Sequence, residues 1–247
     1  MANGIVLITG GTGHIGFRTV VVALQHGYDV HAAVRSQSKK QQILSAPSIK
    51  SLNPGSRLTF AIVPDLTVEE AYDDAVRGAA YIIHLASPIV LKGEIKPEDF
   101  HATLINPAIR GTFSVLEAAV KTRGVKRVVI TSSIVDFIPS KYMFDVETPE
   151  GMVFDHNSTT ALEAGPYPSD FHAYNASKVS ALRATEAFVR DRNPGFDVTN
   201  IHPSFVIGKN ELITDAKDIT IGTNGAAMAV VLGNKPETPV VGAIRIS

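Results

Sequence analysis

Ile5-Val6-Leu7-Ile8 followed by Thr9-Gly10-Gly11-Thr12-Gly13-His14-Ile15-Gly16 opens the chain. The four leading residues are apolar without a polar alternation, which predicts a short strand buried on both faces. Beyond the glycines, Phe17–His26 reads as a helix that stops at Gly27, the usual place for a C-terminal glycine. Strand, glycine turn and helix in that order form a cradle for a pyrophosphate. One glycine permits the tight turn, one lets backbone approach the phosphates, and one allows close helix–sheet packing. The helix amino end adds unpaired N–H groups and the positive end of its dipole. Gly10, Thr12, Gly13, His14, Ile15 and Gly16 are therefore expected to contact a dinucleotide.

The pattern repeats downstream. Strands are expected at Val30–Val34, Leu58–Val63, Tyr81–Leu85, Val128–Thr131 and Val198–Ile201. Helices are expected at Val68–Arg77, Asp99–Thr122 and Ser169–Arg192. This alternation predicts an α/β fold: a Rossmann-type, doubly wound parallel sheet with helices on both faces. Residues 138–168 are irregular and rich in Pro, Gly, Asp and Thr, as befits a loop beyond the carboxyl ends of the strands, where ligands bind. A short helix is expected at Gly222–Leu232. Residues 1–207 form the expected dinucleotide-binding domain with the active site. Residues 208–247 form a small, incomplete C-terminal substrate lobe.

Composition narrows the chemistry. The 247 residues carry a formal net charge of -1, 45% are hydrophobic, and cysteine is absent. That balance offers no global attraction to nucleic acid or anionic membrane. Without cysteine there are no disulfides, thiolate zinc sites or cysteine nucleophiles. The 8 histidines show no metal-ligand spacing, and no metal is assigned. The amino end lacks a basic n-region and no apolar run has the length of a bilayer span, so a cytoplasmic, soluble protein is expected.

An NAD site places Asp or Glu at the end of the second strand, against the ribose 2′-hydroxyl. Here Val34-Arg35-Ser36 stands there, with Lys39 one turn on. A guanidinium cannot accept from a hydroxyl but binds a 2′-phosphate well, which points to NADP(H). Further on, Tyr174-Asn175-Ala176-Ser177-Lys178 places a phenol and an ammonium one helical turn apart on one face. A neighbouring cation favours the phenolate and eases proton transfer. Thr131-Ser132-Ser133 ends a central strand upstream.

Gly10, Gly13 and Gly16 also satisfy G-x-x-G-x-x-G, and with the Tyr-x-x-x-Lys pair the chain resembles the extended short-chain dehydrogenase/reductase family. It is most similar to the dihydroflavonol reductase-like branch. Arg35-Ser36-Gln37 with Lys39 is similar to yeast and fungal ketone and methylglyoxal reductases. The resemblance implies that Ser133 bonds the substrate oxygen, with Ser132 the neighbouring candidate. It implies that Tyr174 moves the proton and that Lys178 holds the nicotinamide ribose and tunes Tyr174. Asp65 and Leu66 would lie at the adenine, Ala86 and Ser87 along the cofactor, and Pro203 and Val206 against the nicotinamide. The implied function is NADPH-dependent reduction of an aldehyde or ketone, a small-molecule carbonyl substrate. Alternatives are a non-catalytic NADP(H)-binding or truncated regulatory relative, and an NAD-dependent epimerase or dehydratase, against which Arg35 counts. Pocket residues are expected from Pro88–Leu91, Ile134–Tyr142, Phe171 and the stretch after Phe205, most of them apolar. Family members continue further, although Asn234-Lys235-Pro236-Glu237 still resembles a loop of their substrate lobe. The oligomeric state is left open.

Overall fold

The computed structural model describes residues 3–88, 95–144 and 149–233. In chain order the main elements are β1 (Ile5–Thr9), α1 (His14–Gln25), β2 (Asp29–Val34), α2 (Gln37–Ser45), α3 (Pro47–Leu52), β3 (Leu58–Ile62), β4 (Ala79–His84), α4 (Asn106–Lys121), β5 (Arg127–Thr131), α5 (Ser140–Phe144), α6 (Asp170–Arg192), β6 (Asp197–Ile201) and α7 (Thr223–Val231). The strands form one parallel sheet in the order β3-β2-β1-β4-β5-β6. The order reverses between β1 and β4, so the crevice for a ligand opens beyond the carboxyl ends of these two strands.

The two-residue period of β1 separates the cores. Val6 and Ile8 face α1, α2 and α3, packing with Val20, Leu24, Ile43 and Ile49. Leu7 faces the other way, into a cluster with Val115 and Leu116 of α4 and Phe188 of α6. All three β1 residues are buried, which is why the strand reads as an unbroken apolar run.

Two expected helices are corrected. Val68–Arg77 is a succession of turns, with hydrogen bonds from Ala71 to Val68 and from Asp73 to Glu70. Glu70 stands at φ 60°, which breaks a helical ladder, while the buried Tyr72, Ala75 and Val76 supply the apolar spacing that mimics one. The helix expected over Asp99–Thr122 is regular only from Asn106 onward. Pro107 cannot donate to an α-ladder, and the preceding turn over His101–Ile105 is wider, Asn106 N–H bonding back to His101 O. Helices α2 and α3 were not anticipated.

Beyond β6 the chain returns to the first half of the sheet. Ser48 donates from its amide and hydroxyl to Glu211, at 2.8 and 2.6 Å, and Leu212 is buried among α1–α3 residues. Ile89–Leu91 and Asn234–Glu237 lie outside the described residues. No helix among the described residues is long and apolar enough to cross a membrane.

Candidate active site

The glycine turn is shaped by its contacts with the neighbouring strand. Gly10 has φ 69°, and a Cβ there would lie 2.8 Å from Ala86 N. A Cβ on Gly16 would lie 2.0 Å from the Gly10 carbonyl oxygen, so α1 starts closer to the turn than any side chain allows. The Gly13 amide donates to Gly10 O at 2.9 Å. Gly13 caps α1 without a side-chain hydrogen bond, and no acidic residue occupies the first turn. The orphan amides there and the positive dipole end thus face no competing carboxylate of their own turn, a cradle fitted to a pyrophosphate.

Thr9 ties this turn to the end of β4. Its buried hydroxyl oxygen accepts from the amides of Leu85 and Ala86, both at 3.1 Å, and lies 2.9 Å from His84 Nδ1. With two donors already on its oxygen, the Thr9 hydroxyl donates to His84, whose ring is neutral there. Burial pushes the His84 imidazole down to about 3, and the Lys178 charge acts in the same direction.

At the far end of the crevice Arg35 is exposed at the end of β2, and Ser36 caps α2, accepting from the Lys39 amide. The Lys39 ammonium donates to Gln42 at 3.1 Å. The Thr67 hydroxyl and amide hold the Asp65 carboxyl below its ordinary value, with the Arg35 charge adding to the effect. The Leu66 side chain lies over Gly111 of α4 and joins the core.

Helix α6 brings the phenol and ammonium into the crevice. The Lys178 Nζ lies 5.8 Å from the centre of the Tyr174 ring. It donates to Ser87 Oγ at 3.3 Å and to Thr131 O at 3.4 Å, so the ends of β4 and β5 both hold it. Burial lowers the Lys178 ammonium to about 8, against a raising influence of Asp136, and it remains mostly cationic at neutral pH. Burial raises the Tyr174 phenol, opposed by a hydrogen bond with Ser133 and reinforced by the Asp136 charge. The phenol therefore carries its proton at neutral pH. Phe171 packs on Tyr174 with ring centres 5.7 Å apart.

The two serines differ in their partners. Ser132 Oγ donates to Asp136 Oδ2 at 2.5 Å, whereas the Ser133 hydroxyl oxygen accepts from the Val135 amide at 3.5 Å and acts on Tyr174, lowering its phenol. Asp136 Oδ2 also accepts from the Ser133 amide at 3.3 Å and from His202 Nδ1 at 2.8 Å. The β5–β6 pairing continues past the strands, Ser132 N–H bonding Ile201 O and Ile134 N–H bonding Pro203 O. That register sets His202 opposite Ser132, from where its ring reaches Ser133 O at 3.2 Å. The Val206 carbonyl accepts from the Thr223 hydroxyl at 2.5 Å.

Ser133, Tyr174, Lys178 and Ser87 thus converge, with Gly10 packed on the adjoining Ala86, while Arg35, Lys39 and Asp65 stand beyond β2 and β3. Sequence reasoning gave no role to Thr9, His84 or His202, and reached Asp136 only as part of the pocket stretch Ile134–Tyr142. Asp136 had a signal: Ser133 followed three residues later by an acid is a capping-box spacing.

A parallel sheet with a glycine turn at its first crossover and a Tyr-x-x-x-Lys helix facing it defines a Rossmann-type fold of the extended short-chain dehydrogenase/reductase kind. Residues 6–226 match the NAD dependent epimerase/dehydratase family, and the chain belongs to it. It is 37% identical over 238 residues to "Ketoreductase CTB6" of Cercospora nicotianae, covering 95% of this chain and 66% of that protein. It is 32% identical over 240 residues to "Aldehyde reductase 2" of Sporidiobolus salmonicolor, covering 94% of this chain and 65% of that one. The chain spans just under two thirds of the length of these curated relatives. Gre2 of Candida albicans in complex with NADPH superposes with a TM-score of 0.79 at 25% identity, over 96% of this chain and 68% of that one.

Proposed function

We propose that this chain is an NADPH-dependent carbonyl reductase, and the observation that carries the reading is the Lys178 ammonium beside the Tyr174 phenol, held by Ser87 and Thr131 O, with Ser133 set where it lowers that phenol. The names of the ketoreductase and aldehyde reductase relatives, and the NADPH held by the Candida albicans neighbour, support it. The amides at the start of α1, with Gly10, Thr12, Gly13, His14, Ile15 and Gly16 around them, would hold the pyrophosphate. Arg35 and Lys39 would take the 2′-phosphate, Asp65 and Leu66 would flank the adenine, and Ala86, Ser87, Pro203 and Val206 would line the nicotinamide half. When bound, NADPH supplies a hydride to the carbonyl carbon.

The chain's own groups handle the oxygen. Ser133 and Tyr174 donate hydrogen bonds to it and so stabilise the charge that develops as the carbon is reduced. The Tyr174 proton then passes to that oxygen, and the Lys178 cation stabilises the phenolate left behind. Ile134, Val135, Ile138 and Met143 are buried beside the partly buried Phe137, Tyr142, Phe154 and Phe171, an apolar wall that favours an apolar carbonyl compound. Residues 208–247 would contribute part of the substrate lobe.

The test is fluorescence titration with NADPH and NADH, followed by NADPH oxidation with a panel of aldehydes and ketones. NADPH-selective binding and turnover are expected, with Tyr174→Phe removing turnover and sparing binding. Binding without turnover would favour the non-catalytic reading, and unchanged turnover in the Phe variant would remove Tyr174 from the mechanism.

A further inference from the structure

Asp136 is a buried carboxyl whose side chain has no solvent exposure, and no guanidinium or ammonium bonds it among the described residues. Its Oδ1 is buried with no partner among those residues. A buried carboxylate is costly unless hydrogen-bonded or paired, so its surroundings define its purpose. All of its recorded bonds converge on Oδ2: the Ser132 hydroxyl, the Ser133 amide and His202 Nδ1. His202 Nδ1 also lies 3.2 Å from Ser133 O. Both neighbours of that nitrogen are acceptors, so Nδ1 carries hydrogen. Phe137 lies against the imidazole with ring centres 4.3 Å apart, fixing its plane.

We propose that Asp136 and His202 act as a positioning pair for the reduction: Asp136 engages the Ser132 hydroxyl and the Ser133 amide, leaving the Ser133 hydroxyl to face Tyr174, while His202 holds the carboxylate in place. This role rests on the reductase reading above. The pair also sets the charge beneath the phenol. The Asp136 charge acts on Tyr174 and Lys178 of α6, and His202 faces Glu186 of the same helix. On the β4 side His84 is neutral and set against Lys178. Burial alone would lower the His202 imidazole, but its bonds to Asp136 and Ser133 O lift it above its ordinary value. As pH falls the imidazolium balances the carboxylate, and as pH rises the carboxylate acts alone on Tyr174.

The experiment measures ketone reduction by the full chain and follows the His202 ring by NMR titration. His202→Ala removes the bond to Asp136, and His202→Asn places an amide nitrogen where Nδ1 stood. The expected result is a loss of at least tenfold in kcat for His202→Ala, with the KM for NADPH within threefold of the parent, and recovery to within threefold in His202→Asn. Asp136→Asn should lower the His202 titration by about one pH unit or more, as expected when the partner charge that raised it is removed. It should also move the alkaline fall of kcat to lower pH, because the charge that raises Tyr174 is gone. Parental kcat in His202→Ala, equal losses in the Ala and Asn variants, or an unmoved His202 titration each overturn the pair. If Asp136→Asn does not fold, the His202 series decides. A parent chain without turnover overturns the reductase reading, and the positioning role with it, while the parent's NMR titration still reports the ion pair.

Discussion

His84 should make the stability of this protein steeply dependent on acid. The ring is wholly buried, accepts from the Thr9 hydroxyl, and has its imidazole lowered from 6.5 to about 3, first by burial and then by the Lys178 charge. Its folded value is depressed, so the unfolded chain binds the extra proton between the two values. The contribution is fully present above 6.5 and is lost as pH falls toward 3. At about 1.4 kcal/mol per pH unit, the gap amounts to about 5 kcal/mol, a large part of the roughly 5–15 kcal/mol that holds a domain together. Urea unfolding at pH 7, 6, 5 and 4 of the parent and of His84→Asn isolates it, because the amide can still bond Thr9 but does not titrate. The variant starts lower at pH 7, having lost ring volume, and then falls less steeply than the parent by about 1 kcal/mol or more per pH unit. Parallel curves would refute the assignment of a buried, neutral His84.

Gly16→Ala sets a Cβ 2.0 Å from Gly10 O and must push α1 away from the turn. A destabilisation of about 1–3 kcal/mol in thermal melts and at least tenfold weaker NADPH binding are expected. Arg35→Ala should weaken NADPH about tenfold, the worth of one exposed charged contact to a phosphate, and leave NADH within threefold by the same titration. Ser133→Ala should lower kcat about 100-fold, as removal of one donor to a developing oxyanion does elsewhere. Ser132→Ala should cost about tenfold or less, since that hydroxyl is engaged by Asp136; steady-state kinetics with one ketone ranks the two.

What the sequence displayed was the local part of this design. Gly10, Gly13 and Gly16 are legible because a tight turn against a helix start demands missing side chains at fixed spacing. Tyr174 and Lys178 are legible because one helical turn separates them. The alternation of short apolar runs with helices was enough for the sheet. The different surroundings of Ser132 and Ser133 were beyond it, since they depend on the buried Asp136 and on a strand pairing that brings His202 across some seventy positions, in register with Ser132 and within reach of Ser133 O. Helix α2 escaped because only Ile43 of its residues is buried, which leaves no periodic stripe. Over Val68–Arg77 a true apolar period misled, because Tyr72, Ala75 and Val76 are buried by a chain of turns.

The continuation of the β5–β6 ladder past the strand ends ties the candidate site to the sheet's edge. β6 is the last strand, its residues alternate between exposed and half-buried, and the bonds of Ser132 and Ile134 to Ile201 and Pro203 fasten the serine turn to it. Edge strands open more readily than central ones. Each fraying event at β6 would release His202 and loosen the serines together, so amide exchange at Ser132 and Ile134 should follow that of the edge and not that of β1. The protein's working geometry is then only as durable as its outermost strand, and whatever segment or partner shields β6 protects the site without touching it.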